Sequence, residues 1–248
     1  MRILIVNPNT TEAVTSIMLD AGRASASPGV DVRAITAPRG LPYITSRAEA
    51  QIGGAIALEM LAEARGEYDA AIIAAFGDPG LFGARELFEV PVIGISEAAM
   101  LTACMLGGRF LIATFSSVLC GWFRDCVAMH RLEDRCAGVV ALDRGFGSLE
   151  DVRETNWEAL VKLANDAVAD RGADVAILAG APLAGLASRA RNLIHVPVID
   201  PIVAAVKQAE ALVALGTTKA TRGSFRRPAP KASSGLPKKL GAYLEHAQ

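Results

Sequence analysis

Residues 68–100 read YDAAIIAAFGDPGLFGARELFEVPVIGISEAAM, and residues 173–206 read ADVAILAGAPLAGLASRARNLIHVPVIDPIVAAV. In both stretches an aspartate, Asp69 or Asp174, opens an apolar run of strand length. A tip containing Gly and Pro, an Ala/Arg-rich helix, a VPVI strand and a second helix then follow in the same order. Strands that are apolar on both faces and alternate with helices are typical of a parallel sheet covered on both sides. The pattern therefore predicts a duplicated α/β half.

The duplication extends to the start of the chain. RILIVNPNT at residues 2–10 aligns with RFLIATFSS at residues 109–117, strand on strand and polar tip on polar tip. The predicted fold class is α/β, with two pseudo-symmetric lobes, each a parallel sheet flanked by helices, and the site in the cleft between them. We expect the first lobe at residues 1–106 and the second at residues 107–215, with the last helix of the second lobe free to pack on the first. Ala75 should then superpose near Gly180, Asn7 on Thr114, and the prolines of the two VPVI strands on each other.

Three helix starts carry capping signals. Asn9 with Glu12, and Ser46 with Glu49, have the spacing of a capping box. Asp78 is followed by a proline, which suits an N-cap with Pro at the first helical position. We therefore expect helices to begin at these three points.

The last segment, residues 216–248, differs in composition from the rest. Residues 219–240 hold seven Lys or Arg, three Pro and no Asp or Glu, and their few apolar residues cannot form a core. We interpret the segment as an extended tail that lies on the body or on a neighbouring subunit and ends in a short helix at residues 236–246. A free, solvated tail is the alternative. A second irregular segment, a loop, is expected at residues 143–148.

Composition limits the classes of partner. The formal net charge is -1, so no basic excess points to nucleic acid. No apolar run reaches the roughly 18 residues of a membrane span, and the chain passes from Met1 into a strand without a secretory signal. The four cysteines show no CxxC spacing and are expected to be free thiols in packing roles. We therefore expect a cytoplasmic protein whose partner is a small molecule.

The strand tips are the expected binding site. In parallel α/β sheets, ligands bind at the carboxyl ends of the strands, where helix N-termini present free N–H groups. Neutral side chains and small residues at four converging tips suit a small carboxylate or a cyclic amide. The candidate substrate-binding residues, on these tips and on the loop after the second strand, are Asn7, Asn9, Thr10, Tyr43, Arg47, Ala75, Phe76, Gly77, Thr114, Phe115, Ser117, Gly180, Ala181 and Pro182.

Three polar residues are candidates for catalysis: Asp78, Glu97 and Ser116. Each has a structural alternative, since Asp78 and Ser116 suit N-caps and Glu97 is a first-turn acid that matches the helix dipole. Arg47 in the first turn of a helix opposes the dipole, which points either to a bound anion or to a solvated surface arginine. The three histidines are far apart in sequence and are given no catalytic role.

Four motifs together resemble a known family. ILIVNPNT at residues 3–10, FGDPG at 76–80, VPVIGISEAAM at 90–100 and VPVID at 196–200 are similar to the aspartate/glutamate/hydantoin racemase superfamily, and most to its hydantoin and allantoin racemase branch. The resemblance covers about residues 1–215. It implies two parallel lobes with the substrate between them, no cofactor, a homo-oligomer, and proton exchange at an acidic carbon by two cysteines.

Both of those cysteines are missing from this chain. In the family pattern one precedes FGDPG and the other lies at a strand tip of the second half, where this chain has Ala75 and Gly180. Inversion at carbon needs an acid or base on each face, and neither alanine nor glycine supplies one. Cys104, Cys120 and Cys126 lie in helices away from the tips and are not obvious substitutes.

Three functions remain open. The first is a cofactor-independent isomerase of this family that acts on a small cyclic amide or amino-acid derivative through groups other than cysteine. The second is a lyase, decarboxylase or hydrolase that uses Asp78, Glu97 or a tip serine with an oxyanion hole of N–H groups. The third is a binding protein that kept the pocket and lost the chemistry. The chain has no phosphate loop, GxSxG motif or metal-ligand spacing, so neither a cofactor nor a metal is expected.

Overall fold

Two separate parallel sheets form the centre of the computed structural model, which describes residues 1–143 and 148–247. The strands are β1 (Arg2–Asn7), β2 (Asp31–Thr36), β3 (Ala70–Ile73), β4 (Val92–Gly94), β5 (Phe110–Thr114), β6 (Cys136–Ala141), β7 (Val175–Leu178) and β8 (Val198–Ile199). The first sheet has the order β2-β1-β3-β4, and the second repeats it as β6-β5-β7-β8. The prediction of two α/β lobes with separate parallel sheets is confirmed.

Helices flank both sheets. They are α1 (Glu12–Ser25), α2 (Arg47–Glu63), α3 (Leu81–Leu87), α4 (Ile95–Leu106), α5 (Cys120–Met129), α6 (Trp157–Arg171), α7 (Ala187–Ala190), α8 (Pro201–Ala214) and α9 (Lys238–Glu245). Short helical turns occur at Ser117–Leu119, Glu133–Arg135, Asp151–Thr155 and Ala181–Leu183. Within the described ranges, no helix is long and apolar enough to cross a membrane.

The duplication is visible in single hydrogen bonds. In the first lobe, the Asp69 amide donates to the Arg2 carbonyl at 2.8 Å, and the Asp69 carboxylate accepts from the Arg2 amide at 2.8 Å. In the second lobe, Asp174 and Arg109 form the same two bonds, at 2.8 and 2.9 Å. The aspartate that opens each apolar run therefore fixes the start of β3 to β1 and the start of β7 to β5.

The last helix of each half packs on the opposite lobe. α8 lies against β3 and β4 of the first sheet and against α1 and α4, while α4 contacts β5, β7 and β8 of the second sheet. Gln208 on α8 donates to the Ala98 carbonyl at 3.0 Å, and Glu210 accepts from the Ser27 amide at 2.7 Å. One hydrophobic core consequently runs through both lobes and holds the cleft between them.

The C-terminal segment lies on the outer side of the first lobe. α9 packs against α2, and Leu240 and Tyr243 are buried in a second hydrophobic cluster on that side. The ring of Tyr243 meets that of Phe88 at a centroid distance of 4.9 Å, and its hydroxyl donates to Glu89 at 3.0 Å. The tail therefore covers apolar surface of its own first lobe.

One of the two predicted capping boxes is present. The Ser46 hydroxyl accepts from the Glu49 amide at 3.3 Å, and the Glu49 carboxylate accepts from the Ser46 amide at 3.0 Å. The box expected between Asn9 and Glu12 is wrong, because α1 begins only after Thr11. The Asn9 side chain instead accepts from the Thr11 amide at 3.0 Å and turns the chain before the helix.

The Ala/Arg-rich helix expected after the Gly180–Pro182 tip of the second lobe is broken. One turn at Ala181–Leu183 and the short α7 are separated by Gly185, whose φ of +82° lies in the left-handed region that favours glycine. The predicted loop at 143–148 falls largely on residues 144–147, which lie outside the described residues.

Candidate active site

A cleft between the lobes lies at the carboxyl ends of β1, β3, β5 and β7. It contains about 500 Å³ of empty space, part of it open to solvent. Its lining comes from strand tips of both lobes, from α1 and α5, and from the segment after β2. The lining residues are Asn9, Val14, Tyr43, Ile44, Thr45, Ala75, Phe76, Phe115, Leu119, Trp122, Phe123, Gly180, Ala181 and Pro182.

One wall of the cleft is aromatic. The rings of Trp122 and Phe123 on α5 are 5.8 Å apart, and Phe123 is 4.6 Å from Phe76 at the tip of β3. Such flat rings bury large apolar areas against planar or apolar groups. Trp122 and Phe123 were not among the sequence candidates, and their position in the helix after the β5 tip is the only signal that points to them.

Ala75 and Gly180, the two positions at which the family resemblance implies cysteines, both line the cleft. Gly180 has φ +121°, and a Cβ built on it would lie 2.5 Å from Cε1 of Phe115. In the first lobe, Gly77 has φ +122°, and a Cβ built there would lie 2.2 Å from the ring of Trp122. An aromatic ring is therefore packed onto a tip glycine in each lobe. The ring of Phe115 fills the space that a side chain at position 180 would need.

Few polar groups line the cleft. Asn9, Tyr43 and Thr45 supply the polar side chains, and Tyr43 is the one ionisable side chain in the described lining. Asn9 is held in place, because its side-chain oxygen accepts from Asn7 Nδ2 at 3.0 Å and from the Thr11 amide at 3.0 Å. The lining thus offers neutral donors and acceptors and no pair of thiols or carboxylates.

Asp78 does not line the cleft. Its carboxylate faces the N-terminus of α4, where Oδ1 accepts from the Ser96 amide and Oδ2 from the Glu97 amide, both at 2.9 Å. Gly94 permits this approach, because a Cβ on it would lie 2.3 Å from the Asp78 carboxyl carbon. The prediction that Asp78 caps the helix following it in sequence is wrong, since it caps α4 instead.

Glu97 also points away from the lining. It forms a two-point ion pair with Arg85, one contact being 2.9 Å, and His130 Nδ1 lies 3.4 Å from its Oε1. Burial favours a higher pKa for Glu97, but hydrogen bonds from His130 and Arg85 outweigh it and lower the pKa to about 2. The carboxylate is therefore ionised within an internal charge cluster.

His130 completes this cluster, although no catalytic role was predicted for it from the sequence. Its Nε2 lies 3.1 Å from Asp78 Oδ2, and its side chain is only 4% exposed. Burial favours a lower pKa for His130, but hydrogen bonds with Asp78, Cys126 and Glu97 raise it to about 11. Sequence spacing carries no signal for this contact, because 52 residues separate the two partners.

Asp78, Cys126 and His130 are a group of the types that bind metals, with ligand atoms within 4.8 Å of one another. Sequence spacing had indicated no such group. Burial raises the pKa of the Cys126 thiol and so favours its neutral form, which is not the metal-binding form. The Asp78 oxygens and His130 Nε2 are already hydrogen-bonded within the protein, and His130 Nδ1 lies 3.4 Å from Glu97 Oε1.

Two buried hydroxyls at the tip of β5 are unusual. Thr114 Oγ1 and Ser116 Oγ are buried and have no hydrogen-bond partner among the described residues. Most buried polar atoms have one. Neither residue lines the cleft, so a catalytic role for Ser116 stays a prediction.

Arg47 meets a carboxylate of the second lobe. Its guanidinium pairs with Asp125 on α5, and both side chains are largely exposed. The charge that opposes the α2 dipole is thus balanced by Asp125. The remaining substrate-binding candidates that do not line the cleft, whose roles also stay predictions, are Asn7, Thr10, Gly77, Thr114 and Ser117.

Comparison with known proteins gives a consistent result. A family model described as Asp/Glu/Hydantoin racemase matches residues 3–209. The chain is 31% identical over 233 residues to a hydantoin racemase of Paenarthrobacter aurescens, which covers 93% of this chain and 99% of that protein.

Two solved structures are similar along almost their whole length. An allantoin racemase from Klebsiella pneumoniae matches with a TM-score of 0.91 and 36% identity, covering 97% of this chain and 99% of the other. An allantoin racemase from Pseudomonas fluorescens matches with a TM-score of 0.88 and 33% identity, covering 95% and 100% of the two chains.

Proposed function

Because this chain belongs to the Asp/Glu/hydantoin racemase family, we propose that it binds a small cyclic amide in the cleft and acts on it as a cofactor-independent isomerase. Its relatives are named for hydantoin and allantoin, which share one five-membered ring with an acidic carbon. The observation that carries the proposal is the cleft itself, formed by strand tips of both lobes and lined by neutral polar groups and aromatic rings.

The aromatic wall favours an apolar ring substituent. Trp122, Phe123 and Phe76 offer flat apolar surface, whereas a polar substituent there would lose water without gaining partners. A hydantoin with a benzyl group should therefore bind more tightly than allantoin, whose substituent is a urea.

The chemistry differs from two-thiol exchange, because Ala75 and Gly180 carry no acid or base. We assign transfer of the ring proton to Tyr43, the one ionisable side chain in the described lining. The Tyr43 phenolate takes the proton from the ring carbon and becomes a neutral phenol, and solvent returns a proton to the opposite face of the carbon. The phenol then gives its proton to solvent, which regenerates the base. Losing a positioned acid/base group typically costs roughly 10²–10⁴-fold in rate, so this reaction is expected to be slow.

The lyase, decarboxylase and hydrolase alternatives receive less support. Two of the three groups that they could use are Asp78 and Glu97, whose carboxylates are engaged by backbone N–H groups, Arg85 and His130. The third is a tip serine, and Ser116 does not line the cleft. The hydrogen bonds that hold these acids in place keep them from facing a ligand in the cleft.

Titration calorimetry with 5-benzylhydantoin, unsubstituted hydantoin and allantoin tests the binding step. Binding of at least one ring is expected, and no binding of any of them at millimolar concentration would refute the proposal. Loss of optical rotation from a single enantiomer then tests the reaction. Tyr43→Phe should slow it, while Tyr68→Phe, whose hydroxyl donates to the Leu61 carbonyl away from the cleft, should not.

Two further expectations belong with this function. A homo-oligomer is proposed because several large apolar side chains are exposed, among them Met105 at 85% and Leu215 at 73%. Light scattering of the purified chain would test this. A cytoplasmic location is proposed from the four free thiols, and cell fractionation would test it.

A further inference from the structure

We propose that His130 is a positioning residue: it bridges the two lobes as an imidazolium and holds the aromatic wall of the cleft against the FGDPG tip. His130 ends α5 in the second lobe, whereas Asp78 and Glu97 belong to the first lobe. Its two ring nitrogens reach one carboxylate each, at 3.1 and 3.4 Å. The bridge therefore joins elements that are distant in sequence.

The surroundings of the ring favour its charged form. A carboxylate only accepts hydrogen bonds, and a neutral histidine has one donor nitrogen. Nε2 of His130 is hydrogen-bonded to the Asp78 carboxylate, and Nδ1 lies at ion-pair distance, 3.4 Å, from Glu97 Oε1, so a carboxylate faces each nitrogen. The charged and titratable groups around the ring are Asp78, Glu97 with its partner Arg85, and Cys126. Two carboxylates and one guanidinium leave a single negative charge, which the imidazolium neutralises.

The bridge lies on the same helix as the aromatic wall. α5 carries Trp122 and Phe123 about two turns before His130, and the Trp122 ring rests on Gly77, next to Asp78 in the chain. α5 is thus held at the FGDPG tip both by ring packing and by the charge bridge. A helix is stiff over this length, so loosening the bridge should displace the rings that line the cleft.

Aromatic rings cover the bridge. Phe82 meets the His130 ring edge-on at 5.7 Å, and Phe225 from the C-terminal tail covers Phe82 at 5.9 Å. This cover lowers the exposure of the bridge and strengthens it, since charges attract more strongly away from water.

Proton NMR of the native protein tests the charge directly. The C2 proton of His130 should keep its imidazolium shift from pH 6 to pH 9, whereas a free imidazole in water loses its proton near pH 6.5. His195→Gln and His246→Gln assign the three signals. Titration of His130 near pH 6.5 would overturn the proposal.

His130→Gln in a Trp157→Phe background tests the positioning. Trp122 is then the single tryptophan, since the chain has two, and its emission should shift because the wall moves. The Kd for 5-benzylhydantoin should rise roughly tenfold, a loss of about 1.4 kcal/mol of binding free energy, because the displaced rings contact the benzyl group less closely. His195→Gln, the same change at an exposed site, should alter neither the Trp122 emission nor the Kd.

Only the ligand measurement rests on the proposed function. If the native chain binds no hydantoin, the proposed function is refuted. The NMR titration and the Trp122 emission still test the role of His130. A variant that melts earlier but keeps the native Trp122 emission and the native Kd would show a merely structural residue and refute the proposal. If His130→Gln does not fold, the NMR titration of the native chain still tests whether His130 is an imidazolium, and a neutral His130 would refute the proposal.

Discussion

The ring of Phe115 lies where a side chain on Gly180 would begin, with Cε1 2.5 Å from the place a Cβ would take. Residue 180 also has φ +121°, a conformation that side chains other than glycine rarely adopt. Position 180 thus excludes a thiol in two ways: by backbone conformation and by the ring that fills the space. Restoring the family cysteine there requires a change at position 115 as well.

This relationship can be tested with alanine. Gly180→Ala should lower the free energy of unfolding by about 2 kcal/mol or more, from overpacking and backbone strain together. In a Phe115→Ala background the same substitution should cost less, because the clash is removed and only the strain remains. Urea denaturation of the native chain, the two single variants and the double variant gives the coupling free energy between positions 115 and 180. If Gly180→Ala lowered the free energy of unfolding equally in both backgrounds, the Phe115 ring would not be the source of the clash.

The His130 bridge makes stability depend on pH. The folded pKa of about 11 lies above the ordinary 6.5, so the bridge's contribution is complete below pH 6.5 and is lost as pH rises toward 11. Between pH 6.5 and 7.5, below the range of the cysteines and tyrosines, the free energy of unfolding should fall by at most about 1.4 kcal/mol per pH unit. His130→Gln should flatten this slope, and His195→Gln should retain it.

The duplication was predictable because its signals are local. Apolar runs opened by Asp69 and Asp174 mark parallel strands, and the FGDPG and VPVI motifs mark where those strands end. The strand tips that line the cleft, including Ala75 and Gly180, followed from that order alone.

The wall and the charge cluster were not predictable in this way. Trp122 is an ordinary helix residue until its ring is seen on Gly77, and His130 reaches Asp78 across 52 residues. Asp78 was misread because Asp-Pro fits a cap for the next helix. Gly94 leaves room for the carboxylate at α4 instead, a contact set by packing between distant segments.

The C-terminal tail should stabilise the first lobe. Tyr243 is 4% exposed and packs on Phe88, so Tyr243→Ala should lower the free energy of unfolding by about 3 kcal/mol through lost contacts and a cavity. Deleting all residues after Gly216 should lower the melting temperature by several degrees. Calorimetry measures both, with Leu236→Ala at an exposed tail position as the control. A truncated chain that melts like the native one would favour a free tail.

Proton exchange is the decisive measurement for the chemistry. In heavy water, the native chain should exchange the ring-carbon proton of a 5-substituted hydantoin at no more than a few per cent of the rate of a two-thiol relative, because both thiol positions are empty. Fast exchange by the native chain would contradict this, and Tyr43→Phe would then show whether that side chain is responsible.

Restoring the thiols should raise the exchange rate only when the space at position 180 is also restored. Ala75→Cys with Gly180→Cys and Phe115→Ala should exchange faster than the native chain, because Ala75 already lines the cleft and removing the ring frees the second position. The same two cysteines with Phe115 retained should gain little, since the ring blocks one thiol. Ala75→Cys alone should exchange on one face without added inversion. Deuterium uptake followed by NMR, together with chiral chromatography, separates these outcomes. An equal increase in exchange rate with and without Phe115 would show that its ring does not block a side chain at position 180.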